Sequence, residues 1–150
     1  MFEELGDLYQ QVILDHSKSP RNFRPLADAS HQAQGRNPLC GDQVKVYLKL
    51  DGDQIRDISF EGSGCAISKA SASVMTTILK GKTTTEAKTL FEQFHDTVMT
   101  GKAQTTEKLA VFAGVHKFPA RVKCAILPWH AVIAALDGAT TPVSTESENT

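Results

Sequence analysis

Gln43-Val44-Lys45-Val46-Tyr47-Leu48-Lys49-Leu50, then Asp51-Gly52-Asp53, then Ile58 and Phe60, decide how this chain folds. Val44, Val46, Leu48 and Leu50 alternate with Gln43, Lys45, Tyr47 and Lys49, the period-2 pattern of a strand with one face buried. Asp51-Gly52-Asp53 supplies a turn. Ile58 and Phe60 mark a returning strand, apolar on the face that also carries Arg56. Pairing these strands sets the outer ends of the hairpin side by side. One end carries Cys40-Gly41-Asp42 and the other Gly62-Ser63-Gly64-Cys65.

Outward from the hairpin the spacing turns helical. Leu5, Leu8, Tyr9, Val12 and Ile13 predict an amphipathic helix from about Leu5 to His16. Pro20 and Pro25 break it into an extended connector, and Ala27 to Gly35 alternates weakly, as a short edge strand does. After Cys65, Ile67, Ala70, Val74, Met75, Ile78 and Leu79 form one buried helical stripe that stops at Gly81. Thr83 and Glu86 make a capping-box signal for a second helix with Leu90, Phe91, Phe94 and Val98 inward. Leu109 to Phe112 suggests a short helix ending at Gly114. Arg121 to Leu136 reads as a last helix, with Pro128 expected to kink it or restart it. The fold class is therefore α+β, a small antiparallel sheet of about three strands packed on one side by several helices. Residues 1–138 form one domain, and the Thr/Ser/Glu-rich 139–150 are expected to be a disordered tail.

Composition narrows the function. With 41% hydrophobic and 22% charged residues over 150, the chain is sized for one hydrophobic core. A formal net charge of −1 supplies no basic field for nucleic acid or an anionic membrane. No apolar run approaches the ~20 residues of a membrane span. Met1-Phe2-Glu3-Glu4 lacks the basic start of a secretory signal, which predicts a cytoplasmic protein. In that reducing compartment the three cysteines stay free thiols, metal ligands or redox groups.

Each cysteine sits in unusual local chemistry. Cys65 opens a helix, where unpaired N–H groups favour a thiolate, and Gly62 and Gly64 let backbone come close to a bound atom. A tight turn holding a small buried cysteine reads equally well. Cys40 and Asp42, two apart, point to one face of an extended chain, so thiolate and carboxylate reach one ion; a turn with Asp42 bonded to backbone amides is the simpler account. Cys124 lies beside Lys123 and one helical turn after Arg121, cations that favour its ionised form and attract an anionic sulfur species. Together Cys40, Asp42, Cys65 and Cys124 supply four ligands for a tetrahedral site, although no C-x-x-C is present. His16, His31, His95, His116 and His130 show no ligand spacing with them.

Asn-Pro-x-Cys-Gly-Asp at 37–42, Gly-x-Gly-Cys-Ala-Ile-Ser at 62–68 followed by Ala70-Ser71-Ala72-Ser73, and Arg-x-Lys-Cys-Ala at 121–125 resemble the iron–sulfur cluster assembly proteins of the IscU/NifU type, most of all the SufU branch. The resemblance runs from about residue 5 to 137. Where the scaffold branch has a histidine before the third cysteine, this chain has Lys123. It also has an extra stretch of about 98–118, and Lys117-Phe118-Pro119-Ala120-Arg121 in place of the scaffold's chaperone-recruiting segment.

The resemblance implies an IscU-like fold and a zinc ion on Cys40, Asp42, Cys65 and Cys124. It also implies sulfur transfer from a SufS-type cysteine desulfurase, one of whose histidines replaces Cys40 on the zinc so that Cys40 receives persulfide sulfur. Other cluster assembly proteins are further candidate partners. An alternative is a scaffold that binds iron or a transient iron–sulfur cluster at the same ligands, and a third reading is a purely structural zinc domain.

Overall fold

The computed structural model describes residues 7–102, 107–138 and 142–145. Helix α1 (Asp7–Lys18) leads to strand β1 (His31–Asn37), the hairpin β2 (Asp42–Asp51) and β3 (Gln54–Ser63), and helix α2 (Ala66–Leu79). Helices α3 (Thr84–Thr100) and α4 (Glu107–Ala110), a 3-10 turn (Ala113–Lys117), helix α5 (Pro119–Leu136) and strand β4 (Val143–Ser144) follow. The sheet order is β3-β2-β1-β4. The first three strands pair antiparallel, and α2 and α5 cover the face that carries Val44, Val46, Leu48, Ile58 and Phe60.

The hairpin forms where the alternation places it, with one change of register. Lys49 opposes Asp57 while Leu50 opposes Ile55, so Arg56 is an extra residue on β3. Such a bulge reverses the alternation beyond it. Arg56 consequently faces solvent, and Ile55 and Ile58 are both fully buried. The expectation that Arg56 shares the apolar face is corrected by that one inserted residue.

The N-terminal helix begins at Asp7; Leu5 lies outside the described residues, as do the side chains of Leu8 and Tyr9. After α1 the connector runs along the outer edge of β3. Asn22 O accepts the Phe60 N–H and Phe60 O accepts the Arg24 N–H, each at 3.0 Å. The Phe23 ring packs edge-on to Phe60 at 5.1 Å between centroids.

Helix α3 starts with both halves of the capping box at Thr83 and Glu86. It ends at Gly101 in the left-handed conformation, where a Cβ would collide with the His116 ring. Phe94 and Val98 are buried, while Leu90 and Phe91 pack partly buried against the core. Phe94 stacks on Trp129 at 4.9 Å and meets Phe112 edge-on at 5.7 Å. The short helix after α3 stops at Ala110, and the chain continues as a 3-10 turn through Gly114 because Phe112 and Val115 must both reach the core.

Helix α5 starts at Pro119, a first-turn position where the missing N–H costs nothing. It continues without a restart through Pro128. Pro128 has no N–H for the carbonyl of Cys124, four residues back. One residue later, the buried Ala125 carbonyl accepts the Ser71 hydroxyl of α2 at 2.5 Å.

The expected disordered tail does not hold for its middle. Val143 and Ser144 pair parallel with Gly35 and Arg36, and Thr145 is 1% exposed. The sheet therefore has four strands, and β1 is an interior strand of His31–Asn37 rather than an edge. The polar composition of the tail concealed this, since β4 is held by backbone bonds and by one buried hydroxyl. Residues 139–141 and 146–150 lie outside the described residues.

Candidate metal centre

Four separate devices deliver Cys40, Asp42, Cys65 and Cys124 to one end of the sheet. At the end of β1 the Asn37 carbonyl accepts the N–H groups of Cys40 (3.2 Å) and Gly41 (2.9 Å), closing the turn that carries Cys40. Asp42 opens β2 opposite Asn37 and is 1% exposed. Cys65 is the N-cap of α2, its sulfur accepting the Ser68 N–H at 3.4 Å. Its own N–H donates to Asp42 Oδ1 at 2.8 Å. Cys124 comes from the second turn of α5 and is fully buried.

The ligating atoms of Cys40, Asp42 and Cys124 all lie within 4.8 Å of one another. This is the one such group of Cys, His, Asp or Glu among the described residues. Cys65 joins it through Asp42, with Sγ 4.0 Å from Oδ2. The glycines before Cys65 are there for space. A Cβ on Gly64 would lie 2.3 Å from Asp42 Oδ1, and one on Gly62 would lie 2.2 Å from the Gln43 carbonyl oxygen. All three cysteines are free of disulfides.

The thiols are electrostatically unequal. The hydrogen bond from Cys124 pushes the Cys65 pKa down to about 6, with further help from the Ser68 and Ile67 N–H groups and against the opposing effect of burial. Cys124 is held up instead, by that same bond, by its burial and by Asp42. Against the cations expected to ionise Cys124 stand its burial and the neighbouring thiol and carboxylate. Arg121 Nη1 donates to Cys124 Sγ across 4.0 Å, and against its burial the Arg121 pKa is in turn raised by Cys124, Cys65 and Cys40. Lys123 stands half-buried on the same helix.

Two participants were not singled out from sequence. The buried Asn37 amide donates to Asp42 Oδ2 at 3.4 Å and to Cys124 Sγ at 3.6 Å. Its Oδ1 accepts the Thr145 hydroxyl at 3.0 Å. Asn37 opens the quoted Asn-Pro-x-Cys-Gly-Asp motif with no role assigned to it; Thr145 is 108 positions away and carries no local signal. Three sulfurs and one carboxylate, arriving from four directions at a mostly buried point, suit a zinc or iron centre and not the oxygen-only shells of magnesium or calcium.

The family profile of the NifU-like N terminal domain matches residues 8–125. The chain belongs to this family. Within it, the chain is 46% identical over 132 residues to the zinc-dependent sulfurtransferase SufU of Bacillus subtilis, covering 85% of this chain and 88% of that one. It is 40% identical over 136 residues to the iron–sulfur cluster assembly scaffold protein IscU of Streptococcus pyogenes, covering 89% and 85%. Among solved structures it resembles a putative iron–sulfur cluster assembly scaffold protein for the SUF system from Fervidobacterium islandicum. The TM-score there is 0.77 at 36% identity, over 88% of this chain and 96% of that one. A NifU-like N-terminal protein of Brucella abortus superposes with a TM-score of 0.79 at 26% identity, over 86% and 92%. The α+β architecture of a sheet packed by helices is that of the NifU-like family.

Proposed function

We propose that this protein is a zinc-dependent acceptor and carrier of persulfide sulfur in iron–sulfur cluster assembly, and that a SufS-type cysteine desulfurase supplies the sulfur. One asymmetry carries the reading. Asp42, Cys65 and Cys124 each accept or share hydrogen bonds with neighbouring groups. The half-buried Cys40 sulfur has no hydrogen-bond partner among the described residues and lies beside Leu39, which is 71% exposed. Three ligands are built in and one is able to leave. The likeness to a relative named as a zinc-dependent sulfurtransferase supports the same conclusion.

Zinc on Cys40, Asp42, Cys65 and Cys124, when bound, keeps the coordinating thiols deprotonated. Asp42 contributes a harder donor than a fourth thiolate at the same formal charge. In the transfer, the Cys40 thiolate attacks the outer sulfur of the desulfurase persulfide. A new S–S bond forms at Cys40, the bond inside the desulfurase persulfide breaks, and its cysteine leaves as a thiolate. No external oxidant or reductant is needed. The need for reduced thiols supports a cytoplasmic location. Among the described residues no helix is long and apolar enough to cross a membrane.

The test is intact-mass analysis of the zinc-loaded protein after incubation with desulfurase and cysteine. One added sulfur is expected on Cys40 and none in Cys40→Ala. Sulfur acceptance at the normal rate by Cys40→Ala would overturn the assignment. The cluster-scaffold reading draws on the donor set, which also accepts iron, and on relatives named as scaffolds. It requires instead that anaerobic reconstitution with iron and sulfide yield a chromophore transferable to an apo-protein.

A further inference from the structure

The candidate centre is flanked by a buried polar chain that begins at Thr145, directly after β4. We propose that Thr145 acts through Asn37 as a positioning residue, holding Asp42 and Cys124 as a fixed pair so that Cys40 is the ligand released; this role rests on the sulfur-acceptor reading above.

The argument starts from the Asn37 side chain, which is fully buried. An amide has one acceptor end and one donor end, and its orientation is set by its neighbours. Asp42 meets its neighbours as an acceptor, as its bond from the Cys65 N–H shows, so the NH2 end faces it. The observed contacts agree: Nδ2 lies 3.4 Å from Asp42 Oδ2 and 3.6 Å from Cys124 Sγ. That orientation leaves Oδ1 pointing into the interior, where it needs a donor. Thr145 supplies one at 3.0 Å. Its position is fixed by its own N–H, which donates to the Arg36 carbonyl at 3.1 Å, and by the pairing of Val143 and Ser144 with β1. Asp42 and Cys124 are thereby tied to each other and to the residue that follows β4. The Cys40 side chain is outside this chain of bonds, and only its backbone N–H reaches the Asn37 carbonyl.

Removing the Thr145 hydroxyl leaves Asn37 Oδ1 buried without a donor. The amide then turns or admits water, and its NH2 group leaves Asp42 and Cys124. Loss of such an outer neighbour costs about 10–100-fold in metal affinity.

The experiment compares Thr145→Val and Thr145→Ser with the wild-type chain as purified under reducing conditions. Two readouts are used: the rate at which a chelator removes zinc, and site-resolved alkylation of Cys40 and Cys124 by mass spectrometry. Thr145→Val is expected to lose zinc about tenfold faster. With zinc removed from both proteins, its Cys124 alkylation is expected to exceed that of the wild type, with Cys40 unchanged. Thr145→Ser keeps the hydroxyl and is expected to restore both. A purely packing role at this buried position gives the opposite ranking, because valine keeps both branches on Cβ and serine loses a methyl group. Wild-type behaviour in Thr145→Val, or Thr145→Ser no better than Thr145→Val, overturns the proposal. Asn37→Ala, which leaves β4 intact, reads the same contact from its other end and covers the case in which Thr145→Val does not fold. If the wild-type chain holds no zinc, the sulfur-acceptor reading fails, while the alkylation of Cys124 still decides the role of Thr145.

Discussion

Asp42 Oδ1 accepts the backbone N–H of Cys65 at 2.8 Å, joining the first residue of β2 to the cap of α2. One carboxylate oxygen is therefore structural, and the other, Oδ2, lies 4.0 Å from Cys65 Sγ and accepts the Asn37 amide at 3.4 Å. Replacing Asp42 separates the two tasks. Asp42→Asn keeps an oxygen for the Cys65 N–H, and Asp42→Ala does not. Both are expected to lose bound zinc by elemental analysis. In urea titrations with chelator present, Asp42→Ala is expected to be less stable than Asp42→Asn by about 1–3 kcal/mol, the cost of a buried donor left unpaired. Equal midpoints would show that the N–H contact does not stabilise the junction.

Gly64→Ala drives a methyl group to within 2.3 Å of Asp42 Oδ1. The carboxylate must move, so zinc content is expected to fall together with stability. Gly52→Ala is the control, since nothing lies within 4 Å of its Cβ position and only the positive φ of 62° is disfavoured. It is expected to cost about 1–2 kcal/mol and to leave zinc content unchanged. Wild-type zinc content in Gly64→Ala would show that Asp42 can be displaced without consequence.

In the metal-free protein, iodoacetamide is expected to modify Cys65 with a rate that reaches half its plateau near pH 6, where its pKa is pushed down to about 6. An ordinary thiol does so near pH 8.5. Cys124→Ala removes the largest cause of the shift, so the midpoint for Cys65 is expected to rise. Peptide mapping of the alkylated protein at a series of pH values measures both. An unchanged midpoint in Cys124→Ala would show that the helix cap alone holds the thiolate.

His16 links acid sensitivity to the packing of α1 on α2. Its Nδ1 lies 2.7 Å from the Ser73 hydroxyl, and burial followed by the nearby Arg21 holds its pKa below the usual histidine value. The folded state thus binds fewer protons here than the unfolded state. The stabilisation is complete above the unfolded pKa of ~6.5 and is lost as pH falls through the lower folded value. His16→Gln, which stays neutral, is expected to flatten the decline in thermal midpoint below about pH 6.5 relative to wild type. A parallel decline in both proteins would assign the acid sensitivity elsewhere.

The features legible in the sequence are those that repeat or are chemically rare. Val44 to Leu50 repeats a two-residue period, α2 repeats a helical one, and Thr83 with Glu86 closes a capping box within four residues. Cysteines are few enough that their surroundings can be read one at a time. The features that stayed hidden depend on a single residue or on distance. Arg56 becomes a bulge only when β3 is laid against β2, and nothing in Ile55-Arg56-Asp57 marks it. The thiol and the carboxylate that oppose ionisation of Cys124, Cys65 and Asp42, approach it from other elements and leave no mark on its sequence neighbours. Thr145 acquires a role only after β4 has docked.

The two borders of the sheet also bear on how the chain behaves in company. One border strand, β4, is only two residues long, and the other, β3, has the connector bonded along it at Phe60. Long uncovered strand borders recruit strands from other molecules, which leads to aggregation. Here the segment that steadies Asn37 also covers the outer side of β1 at Gly35 and Arg36. Detaching it would expose that backbone to neighbouring copies at the same moment that it loosened Asp42 and Cys124, so the proposed hold on the metal predicts that self-association and metal loss go together.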